Sequence, residues 1–220
     1  MNTLTTEPVA SLISRLFAEA ESSDAKLRQR GSTASPEERQ AMMRSTTQYR
    51  ELYGRMKEFY LAVSPDTARL LYMLARSMRA RSIVEFGTSF GISTVHLAAA
   101  LRDNGGGLLI GSEFESAKVA KARDNLRSAG LSDLVDVREG DALETLARDL
   151  PETIDLVLLD GAKGLYSKVL TLLEGRLRPG ALVVADNADY CPDYLARVRA
   201  PELGYVSVPF ADDIEVSMRG

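Results

Sequence analysis

The chain has 220 residues, 45% hydrophobic and 26% charged, with a formal net charge of -4. That length supports one sizeable core, and the mild negative charge argues against a nucleic-acid surface as the main business. A single cysteine, Cys191, excludes an internal disulfide and a Cys-rich zinc site. No apolar run approaches the ~20 residues needed to cross a bilayer, and no basic-then-apolar leader is seen. The expectation is a soluble, cytoplasmic protein with no membrane partner.

Residues 1–7 are polar and read as disordered. A helix is predicted from Pro8 to about Arg30, with Leu12, Ile13, Leu16 and Phe17 on one face. The run from Gly31 to Pro36 breaks it. Ser35-Pro36-Glu37-Glu38 starts another helix, with proline in the first turn and acids at the positive end, expected to reach about Tyr53. No catalytic cluster stands out in this part. It reads as a helical cover or dimer arm, with a lid over the site as the sharper alternative. Ser64-Pro65-Asp66 opens a further helix.

From there the chain alternates. Strands are expected at 82–86, 107–112, 134–138, 154–159 and 181–185, and helices at 93–102, 115–129, 142–149 and 165–177. Strict alternation predicts an α/β fold, a parallel sheet covered by helices on both faces. Two strand-like runs, from Gly204 and from Asp213, predict an antiparallel hairpin at the sheet edge.

Ligands of an open α/β sheet bind at the carboxyl ends of its strands. Here every such end carries an acid: Glu85 before the turn Gly87-Thr-Ser-Phe-Gly91, then Glu113, Asp141, Asp160, and Asp186 with Asn187. The turn lacks the Gly-x-Gly-x-x-Gly spacing of a dinucleotide site. Glu113, roughly 20 residues beyond the turn, can accept both hydroxyls of a ribose. Asp141 or Ala142 would stand near an adenine, and Ser93, opening the next helix, could bind a carboxylate. A nucleoside joined to an amino acid is S-adenosylmethionine.

Asp160, Asp186 and Asn187 are all oxygen donors from neighbouring strand ends, which suits a hard divalent cation such as Mg²⁺. Lys163, three residues after Asp160, could lose its proton beside a bound cation and serve as a general base. Taken alone, a helix-capping Asp160 and a solvated Lys163 is the plainer reading.

The motifs Val-Glu-Phe-Gly-Thr-Ser-Phe-Gly-Ile-Ser-Thr, Gly-Ser-Glu-Phe, Glu-Gly-Asp-Ala, Leu-Leu-Asp-Gly-Ala-Lys-Gly-Leu-Tyr and Val-Ala-Asp-Asn follow in order. Together they resemble the cation-dependent class I O-methyltransferases, the group of the catechol and caffeoyl-coenzyme A enzymes and their small bacterial relatives, from about Val63 onward. The resemblance implies a doubly wound, Rossmann-like, seven-stranded sheet, mostly parallel, with an antiparallel C-terminal edge hairpin. It implies a helical extension over 1–62 and a methyltransferase domain over 63–220. Glu85 and Gly87 would line the methionine half of the cofactor, Ser93 would hold its carboxylate and Glu113 its ribose. Asp141 and Ala142 would border the adenine, and Val63 would give a backbone contact. Asp160, Asp186 and Asn187 would hold the metal, with Asp160 also near the methionine amine, Lys163 would be the base, and Tyr166 matches a common tyrosine. A small phenolic vicinal diol would be the acceptor and a homodimer the assembly. The chain departs from the mammalian catechol enzymes at Ala162, where they have an aromatic residue, and at Val206 and Ser207, where they have an acid nearby. A nicotinamide-dependent reductase and a non-catalytic binding module are the alternatives.

Overall fold

The computed structural model describes residues 2–30, 35–211 and 213–220. Seven strands form one sheet: β1 (Ser82–Phe86), β2 (Leu108–Glu113), β3 (Val135–Glu139), β4 (Ile154–Leu159), β5 (Leu177–Ala185), β6 (Tyr205–Phe210) and β7 (Ile214–Arg219). Their order is β3-β2-β1-β4-β5-β7-β6, with β1 to β5 parallel and β7 antiparallel to both β5 and β6. This is the expected doubly wound sheet with its edge hairpin.

Alternate residues of each central strand point to opposite faces, so the chain builds two apolar layers. Ile83, Leu109, Leu156 and Leu158 pack with α1 (Val9–Arg30), α4 (Pro65–Ser77), α5 (Ile92–Asp103) and α6 (Ser116–Ala129). Val84, Ile110, Val157 and Leu159 pack with α7 (Ala142–Thr145), α8 (Tyr166–Leu173) and α9 (Pro192–Val198). The remaining helices are α2 (Pro36–Arg44) and α3 (Tyr49–Arg55).

Four elements differ from expectation, each for a local reason. Residues 2–8, before α1, are ordered: Thr3–Thr5 form a 3-10 turn, and Thr3 donates its N–H and hydroxyl to the Asp103 carboxylate. The α2 helix, which starts at the Ser35 capping box, stops at Arg44. Ser45 Oγ then accepts from the N–H groups of Thr47 and Gln48, which turns the chain before α3 begins. The stop is also packed from outside, since a Cβ on Gly164 would lie 2.5 Å from the Arg44 carbonyl oxygen. The α7 helix is one turn long because Arg138 draws the carbonyls of Thr145, Arg148 and Asp149 onto its guanidinium. Strand β5 begins at Leu177, and its register against β4 shifts between Ile154 and Leu156. Pro179-Gly180 falls in this irregular part of the strand, which the expected strand over 181–185 leaves out. The expected break at residues 31–34 lies outside the described residues.

Asp155 fastens the far ends of the central strands. Its carboxylate accepts from the N–H groups of Arg81 and Ser82 at 2.7 and 2.9 Å and from Arg178 Nε at 2.5 Å. Burial raises its pKa, but Arg178 and the two amides hold the carboxyl below its usual 3.8. A depressed carboxyl stabilises the fold above the unfolded-state value and loses that stabilisation as pH falls through the folded one. Asp155→Ala should therefore cost about 2 kcal/mol at pH 7, a drop in Tm of ~4–8 °C. The difference from wild type should shrink in acid, below about pH 4. An unchanged Tm in a pH series of thermal melts would refute the assignment.

Candidate active site

The parallel ladder continues past the strands and lines up their ends. Gly87 N–H donates to the Ser112 carbonyl, Gly140 to Glu113, Asp160 to Phe86 and Asp186 to Leu159, all within 3.1 Å. This carries the five acids to one edge of the sheet. Gly87 has φ +101°, and a Cβ there would lie 2.5 Å from the Asp160 carbonyl oxygen. Only glycine lets the ends of β1 and β4 approach so closely.

Behind the turn, the Glu85 carboxylate is fully buried and accepts from three hydroxyls, Ser93 at 2.7 Å, Thr94 at 2.6 Å and Thr88 at 3.1 Å. Burial pushes its pKa up, and the three hydroxyls oppose that. Glu85 thus differs from the expectation of a ligand-lining acid: it braces the turn from inside. Ser93 does meet a carboxylate at the start of α5, and it is the protein's own. Ser93 also borders a narrow recess with Val63, Gly87 and Asp160, which opens beside the main cavity.

One wall of the main cavity carries Glu113, Phe114, Asp141 and Ala142, and another carries Asp160, Ala162, Lys163 and Asn187. Glu113 accepts from the N–H groups of Ser89 at 2.8 Å and Glu115 at 3.0 Å. Asp141 caps α7 through Leu143 N–H and also accepts from Tyr49 Oη at 3.0 Å and Arg50 Nη2 at 2.5 Å. Burial raises the Asp141 carboxyl, but these donors together hold it below its usual value.

At the other wall the Lys163 ammonium is buried among oxygens. It donates to Asp160 Oδ1 at 3.1 Å, Tyr166 Oη at 2.8 Å and the Asp186 carbonyl at 3.3 Å, with Asp186 Oδ2 at 3.9 Å. Tyr166 Oη donates in turn to the Asp186 carbonyl at 2.8 Å. Without a cation Lys163 is not poised to lose its proton: burial lowers its pKa, but Asp160, Tyr53 and Asp186 together raise it above its usual value. Nor is Lys163 a solvated surface lysine, with its side chain 4% exposed.

The donor set fits a hard cation. Asp186 is pushed up to about 8 by burial and then by the charge of Asp160, and Asp160 is raised too. Two buried carboxylates share one ammonium, so the pair is short of positive charge. Asn187 sits at φ +49° and donates its amide NH₂ to Asp213 Oδ2 at 3.0 Å, which leaves the amide oxygen unengaged among the described residues. No group of three or more His, Cys, Asp or Glu side chains is arranged around a metal position among the described residues. The set here is two carboxylates and an amide.

Met43, Tyr49, Tyr53 and Met56 roof the cavity. These four were missed in the sequence because residues 1–62 carry no acid or base cluster. The signal present was Tyr49 and Tyr53, four residues apart and so on one helical face.

The family model described as a methyltransferase domain matches residues 84–188. A catechol O-methyltransferase of Niastella koreensis is 35% identical over 130 residues, 58% of this chain and 58% of that protein. Over this stretch the chain is similar to the methyltransferases. Catechol O-methyltransferase B of Danio rerio is 33% identical to this chain over 172 residues, 74% of this chain and 64% of its own. The chain thus spans less than two thirds of the length of these curated relatives. The O-methyltransferase TomG of Streptomyces achromogenes, solved with SAM, superposes with a TM-score of 0.65 at 25% identity, over 91% of this chain and 98% of TomG. A Bacillus cereus O-methyltransferase solved with SAH shares the fold, with a TM-score of 0.66 at 22% identity over 77% of this chain and 88% of that one. No helix among the described residues is long and apolar enough to cross a membrane.

Proposed function

We propose that this methyltransferase moves the methyl group of S-adenosylmethionine to a hydroxyl of a small phenolic vicinal diol. The observation that carries the reading is the pairing of two ends of one cavity. A buried lysine between two carboxylates stands at one end, and Glu113 with Asp141 at the other. The catechol and caffeoyl-coenzyme A O-methyltransferases among the relatives support an oxygen acceptor of this class.

Glu113 accepts the ribose hydroxyls, Asp141 and Ala142 border the adenine, and Val63, Gly87, Ser93 and Asp160 surround the methionine end. Asp160, Asp186 and Asn187 would hold a divalent cation, Mg²⁺ in our reading. Bound there, the cation supplies charge that neutralises the carboxylates and acidifies an acceptor hydroxyl. Lys163 Nζ takes that hydroxyl's proton once the carboxylates no longer hold its own. Tyr166 orients Lys163 through its phenol oxygen. The apolar roof excludes water and aligns the acceptor oxygen with the sulfonium methyl. In this reading residues 1–62 are a helical extension and 63–220 the catalytic domain. The exposed apolar face of the edge hairpin, Val206, Val208, Phe210 and Met218, is available to a second copy of a cytoplasmic homodimer; light scattering reports on it.

Calorimetry with S-adenosylhomocysteine, followed by turnover of catechol with and without EDTA, tests the whole. We expect tight S-adenosylhomocysteine binding, turnover in Mg²⁺ and loss of turnover in EDTA. Full activity in EDTA removes the cation, and the absence of any binding removes the cofactor.

A further inference from the structure

Lys118 lines the same cavity as Glu113 and has no part in the chemistry above. It lies in the first turn of α6 and is 5% exposed. Its Nζ donates to Ser89 Oγ at 3.2 Å and stands 5.2 Å from the centre of the Phe90 ring. It makes no ion pair among the described residues. An ammonium has three N–H donors, and a buried one left with unmatched donors is costly. Burial indeed lowers the Lys118 pKa, against the pull of Glu113, Glu115 and Asp160. The missing acceptors must come from whatever fills the cavity.

Ser89 says which part of the ligand that is. Its N–H donates to Glu113 Oε2 at 2.8 Å, while its hydroxyl receives Lys118 and donates to the Tyr60 carbonyl at 2.8 Å. The carboxylate and the ammonium therefore converge on two polar atoms of one residue. A hydroxyl that gives its proton to Glu113 presents its oxygen lone pairs to the same neighbourhood.

We propose that Lys118 is a cofactor-binding residue that donates to a ribose hydroxyl oxygen, so that Glu113 and Lys118 read the sugar hydroxyls as donor and acceptor together. This rests on the S-adenosylmethionine reading. The competing role is structural, with Lys118 serving only to brace the glycine turn through Ser89.

Calorimetry on the full chain with S-adenosylhomocysteine and its 2′-deoxy and 3′-deoxy analogues separates the two. Wild type should bind one deoxy analogue about ten- to thirtyfold more weakly than the parent. Lys118→Met should weaken the parent by a similar factor and that same analogue hardly at all. Ser89→Ala, which removes the brace, should keep the preference for the parent. Equal weakening of all three ligands in Lys118→Met makes the residue a brace and overturns the proposal. So does a wild type that binds both deoxy analogues as tightly as the parent, whatever becomes of the variant's fold. A wild type that binds none of the three fails at the cofactor itself, a distinct result that sinks both readings.

Discussion

Lys163→Met should lower turnover by about 10²–10⁴-fold, the usual contribution of a positioned proton acceptor, while S-adenosylhomocysteine still binds. The residue sits at the proposed cation end of the cavity, away from the proposed ribose end, so cofactor affinity should change little. Stability should change more. Without the ammonium, Asp160 and Asp186 face each other buried with no counter-charge. Breaking such a pair from one side costs about 3–5 kcal/mol. Melts of the variant in EDTA should show that loss, and Mg²⁺ should restore much of it. A variant that turns over near the wild-type rate would end the assignment of Lys163 as base. One that Mg²⁺ fails to stabilise would end the assignment of the cation to the two aspartates.

Gly87→Ala should be the most damaging single methyl in the chain's site. Two costs combine. A φ of +101° is strained for any L side chain, and the new Cβ would sit 2.5 Å from the Asp160 carbonyl oxygen and 2.7 Å from the Gly161 nitrogen. Backbone cannot yield there without separating β1 from β4 at the site. Gly130→Ala is the control: φ is +69°, and nothing lies within 4 Å of the added carbon. That variant should lose only about 1–2 kcal/mol of conformational strain. Gly87→Ala should lose more than this and bind S-adenosylhomocysteine poorly even where it folds. Equal melting temperatures for the two alanine variants would show that the close approach is not what fixes the turn.

The sheet was legible because its signals are local. Ile83, Val84 and Phe86 announce β1, and the strand ends fall where acids interrupt apolar runs. The acids at the edge were legible for the same reason. Contacts between distant segments were not. Glu85 looked like a ligand residue because nothing in its neighbourhood says that Thr88, Ser93 and Thr94 all turn toward it. Lys163 taken alone read as a solvated surface lysine, because the sequence shows Asp160 nearby but not the buried ammonium held between two carboxylates. The roof was least legible. Met43 and Tyr53 carry no charge, so their place over the cavity follows only from how α2 and α3 cross it.

Gly164 has a further consequence for how the proposed acceptor range can change. It follows Lys163 directly, and the main chain at the end of α2 rests against it with no room for a side chain. The roof is thus seated on the loop that carries Lys163, the proposed base. Its inward side chains, Met43, Tyr53 and Met56, are free to be exchanged for others, and with them the shape of the accepted substrate. The seat is not. A chimera that takes its roof from a relative should keep its activity only where donor and recipient both have glycine at this position, which makes one residue the gatekeeper of acceptor-range engineering.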